Sequence, residues 1–389
     1  MFSSRLPTAL THNRIADAER AARASGAPLL DLTQSNPTLV GLAYPDDLLA
    51  PLAGRAGLRY EPCAQGLAQA RDAVATDFRR RGVAIDPDDL VLTASTSEAY
   101  SFLLKLLCAP GHAVHVPAPS YPLLDHLCAL DGVRTVPFSL EYHVRWSIDL
   151  PRLRRSVSRD SRAIVLVQPN NPTGSCATAP ELDEVRAVCR RSAMPLIVDE
   201  VFADYGLDGG EHAAPAGSPA GDILTFRLGG LSKTIGLPQA KLAWIALQGP
   251  DDRRRQARER LQLIADMYLS VSTPVQLAAS SLLEAGQAIR AQIRERLVAN
   301  LRLARALVAE HPACQLLNVE AGWSVVIQVP ATRSEEDLAV ELIEQDGVIV
   351  HPGYFFDFPR EAFAVVSLLT PPAELRNGLA RLLERAEAG

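Results

Sequence analysis

The sequence predicts a three-layer α/β fold, with a mostly parallel sheet between two layers of helices, and a smaller α+β part. Between residues 90 and 247, short β-rich runs alternate with segments of helical periodicity. Alternating units with apolar strands are typical of a parallel sheet that helices cover on both faces. After residue 251 come two long helical stretches and then a mixture of strands and helices, which predicts the smaller part.

Each element of the large part follows from its local pattern. The predicted strands are 90–93, 113–116, 135–138, 163–167, 195–198, 223–226 and 242–247. Helical periodicity fills most gaps between them, as at 98–107 and 179–191. The later elements are helices at 251–269, 274–309, 335–345 and 372–386 and strands near 315–319, 324–329, 347–350 and 364–369. We expect a large domain at 46–273 and a small domain built from 1–45 and 274–389.

The composition is that of an ordinary globular protein. Hydrophobic residues make up 48% of the chain and charged residues 22%, with a net charge of −6. This acidic balance argues against binding to nucleic acid or to a membrane, and no apolar run reaches membrane-spanning length. Residues 1–10 lack the pattern of a signal peptide. The six cysteines are scattered without a Cys-x-x-Cys pair, which predicts free thiols in the cytoplasm and no metal site.

Lysine is rare in this chain. Lys105, Lys233 and Lys241 stand against 36 arginines, so a retained lysine is a candidate for chemistry that needs an amine. Lys233 follows Gly229 and Gly230, and small residues there would let a ligand approach the backbone. A solvent-exposed lysine is the alternative interpretation.

Polar segments follow four of the predicted strands, where open α/β sheets bind their ligands. The first, 93–99, places hydroxyls at a helix N-terminus, which suits phosphate but also ordinary capping. The second, 168–174, is a tight Pro/Asn/Gly loop that could equally be a simple turn. The third is Asp199, which directly follows the predicted strand 195–198 and could cap a helix or bind a cation. The Lys233 segment is the fourth.

In this order and spacing, the segments resemble the class I/II aminotransferases, which are fold-type-I pyridoxal 5′-phosphate enzymes. The resemblance runs from about Asp31 to Leu383, and Asn-Pro-Thr-Gly at 171–174, Asp199 and Ser232-Lys233 carry it. It implies a pyridoxal-phosphate-dependent aminotransferase. Such an enzyme transfers an amino group, in two half-reactions, from an amino acid or amine to an oxo acid through a Schiff base on Lys233.

The resemblance also implies roles for other residues. Asp199 would pair with the pyridinium nitrogen of the cofactor. Asn171 would donate to the phenolate oxygen of the ring, and Tyr121 would stack on the ring face, although core packing explains Tyr121 as well. The groups expected at the phosphate are Ser95, Thr96, Ser97, Ser232, Lys241 and, from the second subunit of a homodimer with shared active sites, Tyr60.

Three positions depart from the family pattern. Lys241 stands where an arginine is usual, and Phe202 stands where a tyrosine often donates to the ring oxygen. The largest departure is Val365, at the position of the arginine that clamps the α-carboxylate of the substrate. Candidates for that task are Arg5, which could equally be a surface charge, Asn36, which could be a turn residue, and Asn171.

Aromatic residues provide further candidates for the substrate pocket. They include Trp323 and, in the 351–356 stretch, His351, Tyr354 and Phe355, although core packing explains them equally well. Val365 also keeps open a pyridoxal-phosphate lyase or decarboxylase on the same scaffold. A ligand-sensing module without turnover is the third hypothesis, but residues 1–30 are too short for a winged helix-turn-helix.

Overall fold

The computed structural model describes residues 3–7, 13–207 and 221–388. The helices are α1 (Arg14–Ala24), α2 (Ala68–Arg80), α3 (Thr96–Leu107), α4 (Leu123–Leu130), α5 (Leu150–Ser156), α6 (Ala179–Arg191), α7 (Leu231–Thr234), α8 (Asp251–Tyr268), α9 (Thr273–Ala309), α10 (Glu335–Glu341) and α11 (Pro372–Glu387). The strands are β1 (Leu30–Asp31), β2 (Leu90–Thr93), β3 (Ala113–Ala118), β4 (Arg134–His143), β5 (Arg145–Ile148), β6 (Ser161–Val167), β7 (Leu196–Asp199), β8 (Thr225–Gly230), β9 (Ala243–Gln248), β10 (Gln315–Leu316), β11 (Ser324–Gln328), β12 (Val348–Ile349), β13 (His351–Pro352) and β14 (Phe363–Ser367).

One large sheet runs through the described residues in the order β2-β9-β8-β7-β6-β3-β4-β5. The five central strands β8, β7, β6, β3 and β4 are parallel, whereas β9 is antiparallel to both β2 and β8. Strand β2 therefore runs in the same direction as β8. As a result, the carboxyl ends of β2, β3, β6, β7 and β8 meet at one edge of the sheet, which is where α/β folds place their sites.

Helices cover both faces of this sheet. In β6, Val165 belongs to an apolar cluster with residues of α3 and α8, while Leu166 belongs to a cluster with residues of α5 and α6. Alternate side chains of one strand thus pack into opposite helical layers, which explains why the central strands are apolar throughout. The predicted three-layer α/β fold is confirmed.

A smaller antiparallel sheet, β10-β11-β14-β13, is formed by the C-terminal third of the chain. Strand β1 from the N-terminal region pairs in parallel with β12, so the two ends of the chain pack together. The long helix α9 contacts both α2 and α11 and thereby joins the two parts. The domain boundaries stay a prediction, because α9 packs on both sides of them.

Strand β8 ends later than the sequence predicted. The 223–226 prediction stopped before Gly229 and Gly230, but both glycines are strand residues paired with β9. A Cβ on Gly229 would lie 2.6 Å from Nε1 of Trp244, and one on Gly230 would lie 2.9 Å from Cβ of Ala243. The glycines therefore allow close packing within the sheet, rather than ligand approach alone. No described helix is both long and apolar enough to cross a membrane.

Candidate active site

A cavity of about 380 Å³ opens at the edge where the carboxyl ends of the strands meet. One wall comes from the large sheet and its helices, and the opposite wall comes from β11, β13 and β14 of the small sheet. Its size lies within the usual range for a small-molecule site. The residues that line it and bear on function are Thr33, Ser35, Ser95, Thr96, Ser97, Tyr100, Ser120, Tyr121, Asn171, Asp199, Phe202, Gly230, Ser232, Lys233, Trp323, Ser324, His351, Phe356, Val365 and Ser367.

Lys233 lies on the single helical turn α7, directly after β8. The turn is held from outside, because the Tyr205 hydroxyl donates to the carbonyl oxygen of Lys233 and Arg290 Nε donates to that of Thr234 at 2.9 Å. The one hydrogen bond of the Lys233 ammonium to a described residue is long, 3.4 Å to the carbonyl oxygen of Ser35. Burial lowers the pKa of Lys233 to about 8. The neutral, nucleophilic amine is therefore far more populated near neutral pH than in a lysine with the usual pKa of 10.5.

Asp199 is the last residue of β7 and is buried. Its Oδ1 accepts from the backbone N–H of Val201 at 3.1 Å, and its Oδ2 accepts from the Tyr100 hydroxyl at 2.9 Å. Burial raises the pKa of Asp199 to about 6, and the neighbouring Glu200 adds to the rise, while the two hydrogen bonds oppose it. No cationic side chain of the described residues contributes to this pKa. The carboxylate is thus suited to a cationic ligand in the cavity.

The N-terminus of α3 forms a second wall. Ser95 caps the helix, since its Oγ accepts from the N–H of Glu98 at 3.1 Å, and Glu98 Oε2 in turn accepts from the N–H of Ala94 at 2.6 Å. Ser95 therefore has the capping role that the sequence left open, and it also lines the cavity with Thr96 and Ser97. A 12-residue helix whose N-terminus faces a cavity is a favourable place for a phosphate group.

The loop after β6 presents Asn171 to the cavity. The neighbouring Asn170 faces away from this role, because its side-chain amide nitrogen donates to the carbonyl oxygen of Pro119 at 3.0 Å and to Thr173 Oγ1 at 2.9 Å. Gly174 has a positive φ of 63°, and a Cβ there would lie 2.4 Å from the backbone oxygen of Ala321. A glycine is thus required at this position, and it fixes the loop that holds Asn171.

Tyr121 follows β3 and reaches the same cavity with a half-exposed ring, whose centroid lies 6.4 Å from that of Phe356. Ser232 lies beside Lys233 in the lining. The structure thus brings Ser95, Thr96, Ser97, Tyr121, Asn171, Asp199, Ser232, Lys233 and Trp323 of the predicted set together around one cavity.

Six predicted residues lie outside the cavity lining, namely Arg5, Asn36, Tyr60, Lys241, Tyr354 and Phe355. Arg5 is exposed and its Nη1 donates to the carbonyl oxygen of Leu130 at 3.3 Å, so the structure places it outside the cavity. Asn36 uses its Oδ1 to accept from the N–H of Thr38 at 3.0 Å, which is the turn role weighed as its alternative. Tyr60 is 68% exposed, and Lys241 is an exposed residue in the left-handed region with φ of 54°.

The aromatic wall surrounds Lys233. Its Nζ lies 4.5 Å from the ring centroid of Trp323 and 5.6 Å from that of Phe202. Phe202 thus lies in the cavity at the position where relatives often have tyrosine. Tyr205 does not replace that tyrosine, because it is fully buried and its hydroxyl holds the main chain of Lys233. Tyr354 and Phe355 are not among the lining residues, whereas Phe356 and His351 are.

Sequence reasoning missed Tyr100. It lies four residues after Thr96, so one helical turn places both on the same side of α3, and that spacing could have indicated it. It also missed the hydroxyl residues Thr33, Ser35, Ser324 and Ser367, which come from distant segments and carry no motif.

The family model for aminotransferase class I and II matches residues 24–382, which is nearly the whole chain. This chain belongs to that family. The glutamate-pyruvate aminotransferase AlaA of Haemophilus influenzae is 27% identical over 357 residues, which cover 88% of this chain and 87% of that protein. The alanine aminotransferase of Mycobacterium tuberculosis is 27% identical over 356 residues, covering 88% and 82%. A solved alanine aminotransferase from Pyrococcus furiosus superposes with a TM-score of 0.90 over 100% of both chains at 22% identity.

The protein is a pyridoxal-phosphate-dependent aminotransferase, a transferase of nitrogenous groups that acts on amino and oxo acids. The cavity fits the cofactor on three observations. Asp199 is a buried carboxylate without a cationic partner among the described residues. Lys233 offers a partly neutral amine, and Ser120 Oγ is buried at the wall without a hydrogen-bond partner in the described part of the chain. The lyase or decarboxylase alternative is not favoured, because the relatives are named as aminotransferases.

Proposed function

We propose that the aminotransferase moves the amino group of an amino acid to a 2-oxo acid in two half-reactions that use one cavity, with Lys233 as the reactive amine. The observation that carries this proposal is the pairing, in one cavity, of an amine with a pKa near 8 and a buried carboxylate that lacks a cation among the described residues. The carboxylate can pair with the protonated ring nitrogen of a cofactor, and the neutral amine can react with a cofactor aldehyde.

Bound pyridoxal 5′-phosphate supplies an electron sink that stabilises negative charge on the carbon next to the substrate nitrogen. We assign Asp199 to hold the proton on the ring nitrogen. Tyr100 supports that task as a positioning residue, since its hydroxyl donates to Asp199 Oδ2 and its own pKa is raised well above 10 by burial, so that it stays a donor.

Lys233 Nζ then carries the proton that moves during each half-reaction. Its position beside the rings of Trp323 and Phe202 excludes water, and no carboxylate of the described residues raises its pKa, so the ammonium form is not favoured. A lysine with an ordinary pKa would remain protonated and could not accept a proton near neutral pH.

The remaining lining groups bind and orient the cofactor in this proposal. Ser95, Thr96, Ser97 and Ser232 provide hydroxyls at the helix N-terminus for the phosphate. Asn171 donates an amide N–H to the ring oxygen, and Tyr121 covers one face of the ring. These roles follow the resemblance residue by residue, and the shared cavity supports them.

We further propose a homodimer in which Tyr60 of each subunit completes the phosphate site of the other. Its 68% exposure in the single chain supports a position at a subunit interface. Lys241 is exposed and stays a candidate for the same phosphate. The free thiols of Cys63, Cys108, Cys128, Cys189 and Cys314 support a reducing compartment such as the cytoplasm.

A donor and acceptor panel tests the proposed function. Because the relatives are named for alanine, glutamate and pyruvate, we expect turnover among these compounds to be detectable. The measurement is transfer of ¹⁵N from each labelled amino acid to each of several 2-oxo acids, followed by mass spectrometry. Release of carbon dioxide or ammonia without ¹⁵N transfer would contradict the aminotransferase assignment and favour the lyase alternative.

A further inference from the structure

The substrate side of the cavity is formed by one face of the small sheet. In β14, Val365 and Ser367 line the cavity, while Ala364 and Val366 point into the apolar core, as the alternation of a strand requires. Val365 is 3% exposed and belongs to an apolar cluster with Val326 and Phe356. The position where relatives place the arginine that clamps the α-carboxylate is therefore in the cavity wall, but it carries no charge.

His351 lies directly opposite this position. It pairs with Val365 in the antiparallel register of β13 and β14, and residues that face each other in such a pair project from the same side of the sheet. Both residues line the cavity. The imidazole thus lies on the cavity side of the sheet, beside the position where relatives have the arginine.

Positive charge is scarce in this cavity. Among the described residues that line it, only Lys233 and His351 can carry a positive charge on the side chain. The segments outside the described ranges, 1–2, 8–12, 208–220 and 389, contain neither lysine nor arginine. The same segments contain His12 and His212. Since the proposed function commits Lys233 to the cofactor, His351 is the remaining cationic candidate among the described residues that line the cavity. A buried carboxylate without a cation is strongly disfavoured.

We propose that His351, as the imidazolium, binds the α-carboxylate of the substrate in place of the arginine that Val365 replaces. This inference rests on the proposed function, because it assumes that the substrates are amino and oxo acids. It differs from the family pattern in one respect that can be measured. A guanidinium is always charged, whereas an imidazole must take up a proton to do the same task.

The surroundings of His351 favour uptake of that proton only when a carboxylate is present. The aromatic rings of Phe355 and Phe356 each lie 5.8 Å from the imidazole between centroids. Burial lowers the pKa of His351 below its usual 6.5, and the more distant carboxylates of Asp31 and Glu19 only partly oppose this. No hydrogen bond to a described residue contributes to this pKa, so the ring nitrogens remain available.

The acidic group on the helix packed behind β13 is already occupied. Helix α10 contacts β13, and its Glu335 accepts from the backbone N–H groups of Tyr354 and Phe363, both at 2.7 Å. Within the cavity, Asp199 and Lys233 are the other titratable groups near neutral pH, and both are assigned to the cofactor. His351 is therefore the group whose protonation a bound carboxylate would change.

Proton uptake gives binding a characteristic pH dependence. Above the pKa of the free imidazole, each unit of pH lowers the population of imidazolium tenfold, so the KM for a carboxylate substrate rises up to tenfold per unit. The rise ends at the pKa that His351 has with the carboxylate bound. An amine without a carboxylate does not need the imidazolium, and its KM does not acquire this slope.

The test measures KM and kcat from pH 6 to pH 9 for the best amino acid of the donor panel and for the matching amine without its carboxylate. We expect His351→Gln to raise the KM of the amino acid tenfold or more at pH 6.5, to remove its pH slope, and to leave the amine unchanged. His143→Gln is the matched control, since that histidine is exposed and is not one of the lining residues. In the His351→Gln background, Val365→Arg should restore binding without the pH slope.

Two results overturn the inference while leaving the proposed function intact. One is amino transfer by His351→Gln with an unchanged KM for the amino acid at every pH. The other is a wild-type enzyme that uses the plain amine as well as the amino acid. A wild-type enzyme that transfers an amino group from no donor contradicts the proposed function itself, and the inference falls with it. A structural role alone would lower thermal stability and affect both donors equally.

Discussion

Removing the charge of Asp199 should stabilise the enzyme when the cofactor is absent. The pKa of this carboxyl rises from 3.8 to about 6 because the folded chain buries it, and no described cation compensates. A raised pKa means that the folded state binds the proton more tightly than the unfolded state. The group therefore contributes most to stability below pH 3.8, and that contribution is lost as the pH rises through about 6.

The size of the effect follows from the shift. Two units at about 1.4 kcal/mol each amount to roughly 3 kcal/mol of lost unfolding free energy above pH 6. Asp199→Asn cannot ionise, and its single amide oxygen can still accept from the N–H of Val201. The amide nitrogen that replaces Oδ2 cannot accept from Tyr100, and the loss of that hydrogen bond lowers stability by the same amount at every pH in this range. The variant should thus gain stability over the wild type as the pH rises, by roughly 1 kcal/mol between pH 5 and pH 7, with no further gain above.

Urea unfolding of the cofactor-free protein, followed by far-ultraviolet circular dichroism at one protein concentration, measures this difference at each pH. Asp183→Asn is a suitable control, because that side chain is 73% exposed on α6. The reasoning would be refuted by a difference between Asp199→Asn and wild type that is constant with pH or that shrinks as the pH rises. The same variant should bind the cofactor more weakly, since it cannot pair with a protonated ring nitrogen.

Three further predictions concern the surroundings of the site. Tyr100→Phe removes a hydrogen bond to a charged group, worth about 1.5–3 kcal/mol, so the dissociation constant of the cofactor in a fluorescence titration should rise roughly tenfold or more; an unchanged constant would exclude a supporting role. Gly286→Ala would place a Cβ 2.6 Å from Cβ of Ile235, and the displaced helix should lower the unfolding free energy by about 1–3 kcal/mol, whereas the exposed Gln287→Ala should not. In the cofactor-free enzyme, an amine-reactive reagent should modify Lys233 at a rate that rises with pH and is half-maximal near pH 8. Peptide mass spectrometry measures the modification, and a midpoint above pH 10 would show that burial does not lower the pKa of Lys233.

The periodic parts of the fold could be predicted from the sequence alone. Helix α6 has the predicted bounds, 179–191, because its apolar spacing and its Thr178–Glu181 capping box are local signals. The β4–β5 hairpin was missed, since its turn residue Val144 adopts a positive φ of 69° without the glycine or asparagine that usually indicates such a turn. The end of β8 was missed because glycines usually interrupt strands, and only the packing of Trp244 explains them here.

The residues of the candidate site also differ in whether a local sequence signal predicts them. Residues within motifs, such as Asn171 and Lys233, are placed together because each follows a strand whose carboxyl end lies at the common edge. The spacing of Thr96 and Tyr100 indicates one side of α3, but the contact of Tyr100 with Asp199 and the pairing of His351 with Val365 arise from tertiary packing. Arg5 was selected for its charge alone, and its actual partner is a backbone carbonyl 125 residues away in sequence.

The absorption spectrum of the cofactor-loaded enzyme tests the central claim most directly, because it follows the bound cofactor through each half-reaction. We predict that an amino acid donor removes the visible absorbance of the cofactor and that a 2-oxo acid restores it. Lys233→Ala should show neither change, while Lys105→Ala, in which the replaced lysine pairs with Asp131 far from the lining, should behave as the wild type. A wild-type spectrum that no donor alters, or a Lys233→Ala variant that completes the cycle at the wild-type rate, would contradict the assignment.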